Sequence, residues 1–290
     1  MNRVALVTGS TSGIGLATAE SLMAAGFTVV ASGRRPHADV SLPAGLNYVS
    51  LDVTDQDSVR NAVDDVIWRF ERIDVLVNNA GFGQLGALES LTPEMLHRQF
   101  DVNVFGVHSV TRQVLPYMRA QGGGRVITIG SVGGTFTAPG AGAYHMSKWA
   151  LEAFSDALRY EVAPFNVDVI LIQPTGVKTQ FVDTIVASLP APDMTDAYSD
   201  FHATVSERTA AMFKGRGRGI IEPSKVANVI VQAATSRRPR TRYLVGWSAH
   251  LYRRLRRLTS DRSWDRIMGQ AFPFPSPAAN PRSAREHEGA

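Results

Sequence analysis

The chain has 290 residues, 44% hydrophobic and 19% charged, with no cysteine and a formal net charge of +4. A chain of this size can bury a full core without staples, and the missing cysteine excludes disulfides, thiolate metal centres and a cysteine nucleophile. The charge is uneven: residues 214–266 hold fourteen Lys and Arg against three acids, which raises nucleic acid or an anionic membrane as partners, although a solvated arginine-rich surface explains it more simply.

In chain order, short β-branched runs alternate with amphipathic stretches. Strands are expected at Val4–Thr8, Thr28–Ser32, Asn47–Leu51, Val75–Val77, Arg125–Ile129, Asp168–Ile172 and Arg242–Val245. Helices are expected at Ile14–Ala25, Asp57–Phe70, Pro93–Met118, Tyr144–Val162 and Ser224–Ala234, the third opened by Thr92 as N-cap and Pro93 in the first turn. The alternation predicts a Rossmann-type α/β fold, a doubly wound, mostly parallel seven-stranded sheet.

Residues 1–246 read as one catalytic domain. Within it, 175–222 interrupt the alternation at the carboxyl end of the sixth strand, where open α/β sheets bind ligands, so they are expected to form a helical substrate lid. Residues 247–270 read as a C-terminal helical extension, and 271–290, rich in Pro, Ala and charge, as a disordered tail. Met1-Asn2-Arg3 runs straight into a short apolar strand, so no secretory leader is expected, and no apolar run reaches the ~18 residues of a membrane span. A cytoplasmic location is therefore expected. Leu251, Leu255 and Leu258 among Arg253, Arg254, Arg256 and Arg257 leave peripheral membrane contact through 247–270 open.

The first chemical signal is the turn Thr8-Gly9-Ser10-Thr11-Ser12-Gly13-Ile14-Gly15 between a strand and a helix. Its glycines let the backbone approach a pyrophosphate at the positive helix end. Later come Asn78-Asn79-Ala80-Gly81, Asn103, Ser131 and a Tyr144-x-x-x-Lys148 pair. Four residues apart on a helix, Tyr144 and Lys148 share one face. An ammonium beneath the phenol, together with an oxidised nicotinamide, would lower a tyrosine pKa from about 10. Tyr144 could then exchange a proton with a carbonyl or alcohol oxygen that Ser131 holds in line. His145, pointing elsewhere on the helix, reads as incidental. The histidines show no metal-ligand spacing, and hydride chemistry needs no metal.

Together these motifs resemble the short-chain dehydrogenase/reductase family over roughly residues 3–246, most nearly its 17β-hydroxysteroid and retinol dehydrogenase-like branch. The resemblance implies an NAD(P)-dependent oxidoreductase with Ser131, Tyr144, Lys148 and Asn103 as catalytic residues, Asn103 ordering a water beside Lys148. It implies cofactor contacts from Gly9, Thr11, Ser12, Gly13, Ile14, Gly15, Asp52, Val53, Asn79, Ala80 and Gly81, from Tyr144 and Lys148, and from Pro174, Gly176, Val177 and Thr179. It also implies a homodimer or homotetramer through the helices at Pro93–Met118 and Tyr144–Val162. After the second strand, Ser32-Gly33-Arg34-Arg35 lacks the acid that binds the NAD ribose. Arg34 and Arg35 suit a 2′-phosphate, so NADP is expected to be preferred, with NAD also usable.

The expected substrate is an apolar carbonyl or alcohol: a steroid, retinoid or other lipophilic ketone or aldehyde. A cofactor-sensing binding protein without turnover is the alternative, against which the complete Ser, Tyr, Lys and Asn set argues. No nucleic-acid partner is expected, because the basic segment lacks a recognition motif or interleaved aromatics.

Overall fold

A computed structural model describes residues 2–190, 197–214 and 219–272. Seven strands run β1 Val4–Val7, β2 Thr28–Gly33, β3 Asn47–Ser50, β4 Val75–Asn78, β5 Gly124–Ile129, β6 Val167–Pro174 and β7 Arg242–Val245. They form one sheet in the order β3-β2-β1-β4-β5-β6-β7. Every pairing is parallel, so the mostly parallel sheet expected from the sequence is parallel throughout.

Such strands are buried on both faces, and their side chains alternate between two cores. Leu6, Leu76, Val126 and Val169 face one core, beneath α2 (Gln56–Phe70), α4 (Gly106–Ala120) and α5 (Gly142–Val162). Val7, Val77, Ile127 and Ile170 face the other, beneath α1 (Gly13–Ala24) and α8 (Pro223–Thr235). The strand order reverses between β1 and β4, which opens a crevice at their carboxyl ends.

The single helix expected over Pro93–Met118 is interrupted. It comprises α3 (Pro93–Phe100), a π-helical turn at Asp101–Phe105, and α4. Thr92 caps α3 by accepting from the Met95 amide at 3.3 Å, with Pro93 in the first turn, as read from the sequence. Gly106 closes the π turn against Val53, where a Cβ would lie 2.7 Å from a valine methyl. The apolar spacing is nearly continuous across this inserted residue, so the break left no mark in the periodicity.

The segment 175–222 contains α6 (Phe181–Val186) and α7 (Ser199–Lys214). Its ends are not free of β-pairing: Val177 and Ile221 form a parallel bridge that closes the segment at its base. The C-terminal extension is two helices, α9 (Trp247–Leu258) and α10 (Asp261–Ala271). Ser260 starts the second by accepting from the Ser263 amide. Leu255 is half-buried, so the exposed apolar stripe of α9 is Trp247, Leu251 and Leu258 instead of the leucine triplet expected. The tail expected at 271–290 lies outside the described residues beyond Phe272.

Candidate active site

The turn from β1 into α1 is built for close backbone approach. Gly9 and Gly13 both have positive φ, 61° and 56°, which glycine adopts without strain. A Cβ on Gly15 would strike the Gly9 carbonyl and the Asn79 amide, so the helix can start only with glycine there. Ser12 stands at the N-cap but makes no side-chain cap, and the first turn of α1 has no acid. The leading N–H groups of α1 therefore face the crevice without a side-chain acceptor, an arrangement complementary to a phosphate.

Asn79 holds this turn from the neighbouring strand. Its side-chain amide donates to the Thr8 and Gly9 carbonyls, both at 2.9 Å, while Thr8 Oγ1 accepts from the Asn79 and Ala80 amides at 3.0 Å. Asn78, the last residue of β4, turns toward α4 and donates to Thr111 Oγ1. Ala80 lies where any side chain on Gly9 would sit, and Gly81 leaves room for Asn103. Just beyond β3, Asp52 Oδ1 accepts from the Thr54 amide and hydroxyl, and the Val53 side chain is buried. Thr11 packs against Gly33, beside which Arg34 and Arg35 stand exposed. Neither guanidinium makes an ion pair among the described residues.

Ser131, Tyr144 and Lys148 come together at the carboxyl end of β5. Ser131 caps a short turn, its Oγ accepting from the Gly133 amide at 3.0 Å, and its hydroxyl lies near enough to the Tyr144 phenol to favour the phenolate. Lys148 Nζ lies 5.7 Å from the centroid of the Tyr144 ring and donates to the Ile129 carbonyl at 2.8 Å. Only 8% of Lys148 is exposed, and burial lowers its pKa from 10.5 to about 8.

Burial raises the Tyr144 pKa, and the nearby Ser131 hydroxyl opposes this only in part. Lys148 turns its ammonium to a backbone carbonyl, and a phenol whose pKa lies above the usual tyrosine value keeps its proton near neutrality. That is the protonation state of a proton donor.

Asn103 sits in the π turn, its amide donating to Phe82 O at 2.8 Å and Ser147 Oγ at 3.1 Å while its Oδ1 accepts from the Phe82 amide. Both amide hydrogens are thus committed to structure. Its side chain joins the segment after β4 to α5, one residue before Lys148.

His145 is more than incidental. It is buried, its Nδ1 lies 2.7 Å from the Gly133 carbonyl, and its ring meets Phe136 at 5.9 Å. It thereby steadies the turn that carries Ser131. Phe136 also meets Tyr252 and Trp264 of the C-terminal helices at 5.5 and 5.4 Å. Nothing in the local pattern distinguished this histidine, because its partner is a backbone carbonyl twelve residues away.

Over the site, Phe181 of α6 meets the Tyr144 ring at 5.9 Å. Ile185, Leu85 and Val205 form a small apolar core beside it. This segment is anchored where Leu85 N donates to Ser188 Oγ at 2.9 Å and Ala87 N to His202 Nε2 at 3.0 Å. Pro174 ends β6, Gly176 O accepts from the Ile221 amide, and the Val177 side chain belongs to the core. Thr179 stands 3.3 Å from where a Gly13 Cβ would lie, at the mouth of the crevice. Among the described residues no cluster of His, Asp or Glu could hold a metal ion.

Comparison with known proteins adds a second line. A family model described as short chain dehydrogenase matches residues 3–189. A 3-ketodihydrosphingosine reductase of Bacteroides thetaiotaomicron is 36% identical over 244 residues, 84% of this chain and 88% of that protein. Oxidoreductase BOA17 of Botryotinia fuckeliana is 34% identical over 257 residues, 87% of this chain and 92% of that protein. A solved short-chain dehydrogenase from Streptomyces avermitilis is 34% identical with a TM-score of 0.73, covering 92% of this chain and 97% of that one.

Proposed function

The chain belongs to the short-chain dehydrogenase family and is an oxidoreductase acting on CH–OH groups, and from that premise we propose that it reduces a lipophilic ketone or aldehyde with NADPH. The observation that carries this reading is the grouping of Ser131, Tyr144 and Lys148 at the carboxyl end of β5, with Phe181 against the Tyr144 ring.

The crevice fits a nicotinamide dinucleotide. The uncapped start of α1 and the Gly9–Gly15 turn would hold its pyrophosphate, Asp52 with the Val53 backbone its adenine, and Arg34 with Arg35 a 2′-phosphate. Ala80 and Gly81 would line the adenine ribose, and the backbone of Pro174, Gly176, Val177 and Thr179 the nicotinamide end. When bound, the nicotinamide supplies the hydride.

The protein's own groups do the rest. Ser131 Oγ and the Tyr144 hydroxyl converge on one point, so a carbonyl oxygen there would accept from both. Tyr144 then gives its proton to that oxygen as negative charge develops. Lys148 keeps a cation under the ring, which stabilises the phenolate left behind. Asn103, through Ser147, fixes the helical turn on which Tyr144 and Lys148 stand.

The lid residues Phe181 and Ile185 favour an apolar substrate. A steroid or retinoid would suit such a wall, as would 3-ketodihydrosphingosine, for whose reduction the Bacteroides relative is named. Oxidation of NADPH against a panel of steroid, retinoid and long-chain 3-keto substrates tests the proposal. Turnover confined to small polar carbonyls would overturn the substrate class.

Two further features belong to this reading. The groove between α4 and α5, lined by Leu115, Phe154 and Leu158, supports a homodimer or homotetramer through those helices. Trp247, Leu251 and Leu258 are 58%, 49% and 79% exposed on α9, beside Arg254 and Arg257. That face supports peripheral contact with an anionic membrane. Among the described residues no helix is long and apolar enough to cross one.

A further inference from the structure

We propose that Tyr48 on β3 is a positioning residue for cofactor choice, its hydroxyl fixing the backbone of Gly33–Arg35 so that both guanidiniums are presented to the 2′-phosphate. This rests on the NADP reading above and names a residue that no motif in the sequence marks.

Three successive carbonyls at the end of β2 are held from β3. Gly33 O accepts from the Leu51 amide at 2.8 Å, and Arg34 O from Ser50 Oγ at 3.4 Å. Arg35 O accepts from the Tyr48 hydroxyl at 2.7 Å, with Gly33 O 3.0 Å from the same hydroxyl. That hydroxyl has one proton to give. Gly33 O is already served by an amide, so the proton goes to Arg35 O, which accepts no other bond among the described residues.

The phenol itself cannot wander. Tyr48 is buried, with the His37 ring tilted against it at 5.6 Å, while the arginine side chains it supports reach solvent. Burial raises its pKa although the Arg35 cation opposes this, so it remains a donor across the working range. Arg35 precedes Pro36, which already confines it to extended conformations. Anchoring its carbonyl removes most of the freedom that remains, and ordering a loop before its ligand arrives strengthens binding.

The same hydroxyl helps exclude the alternative cofactor. A Cβ on Gly33 would lie 2.8 Å from the Thr11 methyl and 3.2 Å from Tyr48 Oη. An acid at this position, which would bind a bare ribose and repel a phosphate, has no room without moving one of them.

The test measures dissociation constants of NADPH and NADH by titration calorimetry, which needs no substrate, for the native protein, Tyr48→Phe, Arg34→Ala/Arg35→Ala and the triple variant. Phenylalanine keeps the ring, its packing and the His37 contact, and thermal unfolding of each variant confirms the fold. Tyr48→Phe should weaken NADPH about 3- to 10-fold, the size of one net hydrogen bond, and NADH by less than about twofold. In the double-arginine background the same change should have no further effect on NADPH, because the loop then presents nothing to the phosphate. Equal weakening of both cofactors, or of neither, overturns the proposal. If the native protein prefers NADPH and only the arginine variant loses that preference, the proposal fails and the NADP reading stands. If the native protein binds both cofactors equally, the NADP reading fails and takes the proposal with it.

Discussion

Lys148 holds an ammonium in a site that burial makes hostile to charge, with its pKa drawn from 10.5 to about 8. At about 1.36 kcal/mol per pKa unit, keeping that proton at pH 7 costs the folded protein about 3 kcal/mol. Lys148→Met keeps the length of the side chain and removes the charge. It also removes the hydrogen bond to the Ile129 carbonyl, which returns about 1 kcal/mol of the gain. The cofactor-free variant should therefore be more stable than the native protein at pH 7, by about 2 kcal/mol. The sign with pH follows from the protons bound. Below pH 8 both states of the native protein hold the proton and the cost is present in full. Between pH 8 and 10.5 the folded state has lost it and the unfolded state has not, so native stability rises with pH and the variant's advantage shrinks. At pH 10 the residual cost is under about 1 kcal/mol and the advantage should vanish. Urea unfolding of both proteins at pH 7 and pH 10, at one protein concentration and without cofactor, measures this directly. A variant less stable than native at pH 7, or a difference that does not change with pH, would refute the account of Lys148 as a cation kept for function at the expense of stability.

Two further outcomes are expected. Arg34→Ala should raise the Michaelis constant for NADPH roughly ten- to hundredfold, from one charge-assisted contact worth about 1.5–3 kcal/mol, and leave that for NADH nearly unchanged; equal shifts for the two cofactors would remove Arg34 from the 2′-phosphate site. Replacing Trp247, Leu251 and Leu258 together by serine should reduce sedimentation with anionic liposomes while leaving turnover of a soluble substrate intact, and equal sedimentation of both forms would reject the membrane face.

The elements that rest on local pattern were legible in the sequence. All seven strands fall within two residues of their expected ends, because a parallel strand buried on both faces is a short apolar run with sharp borders. Ser131, Tyr144 and Lys148 were legible because chain order and helical spacing bring them to one face. What escaped depends on contacts distant in sequence. The π turn at Asp101–Phe105 leaves the apolar period intact. His145 works through Gly133 O and Tyr48 through Arg35 O, and a backbone acceptor leaves no residue signature. The stripe of α9 was misassigned because Leu255 and Arg256 lie toward the body of the protein, where Arg256 meets Asp261 and Trp264.

The central claim is that the Tyr144 hydroxyl delivers the proton to the substrate oxygen. Tyr144→Phe removes that atom and keeps the ring against Phe181. Initial-rate oxidation of NADPH by the best substrate of the panel, with cofactor affinity measured on the same preparation, tests the claim most directly. The account predicts a loss of turnover of at least about a thousandfold, within the range of general acid catalysis plus a lost orienting hydrogen bond, with NADPH binding changed by less than about threefold. Turnover within about tenfold of native in a variant that still binds NADPH would contradict it, since one general acid is worth about 10²- to 10⁴-fold.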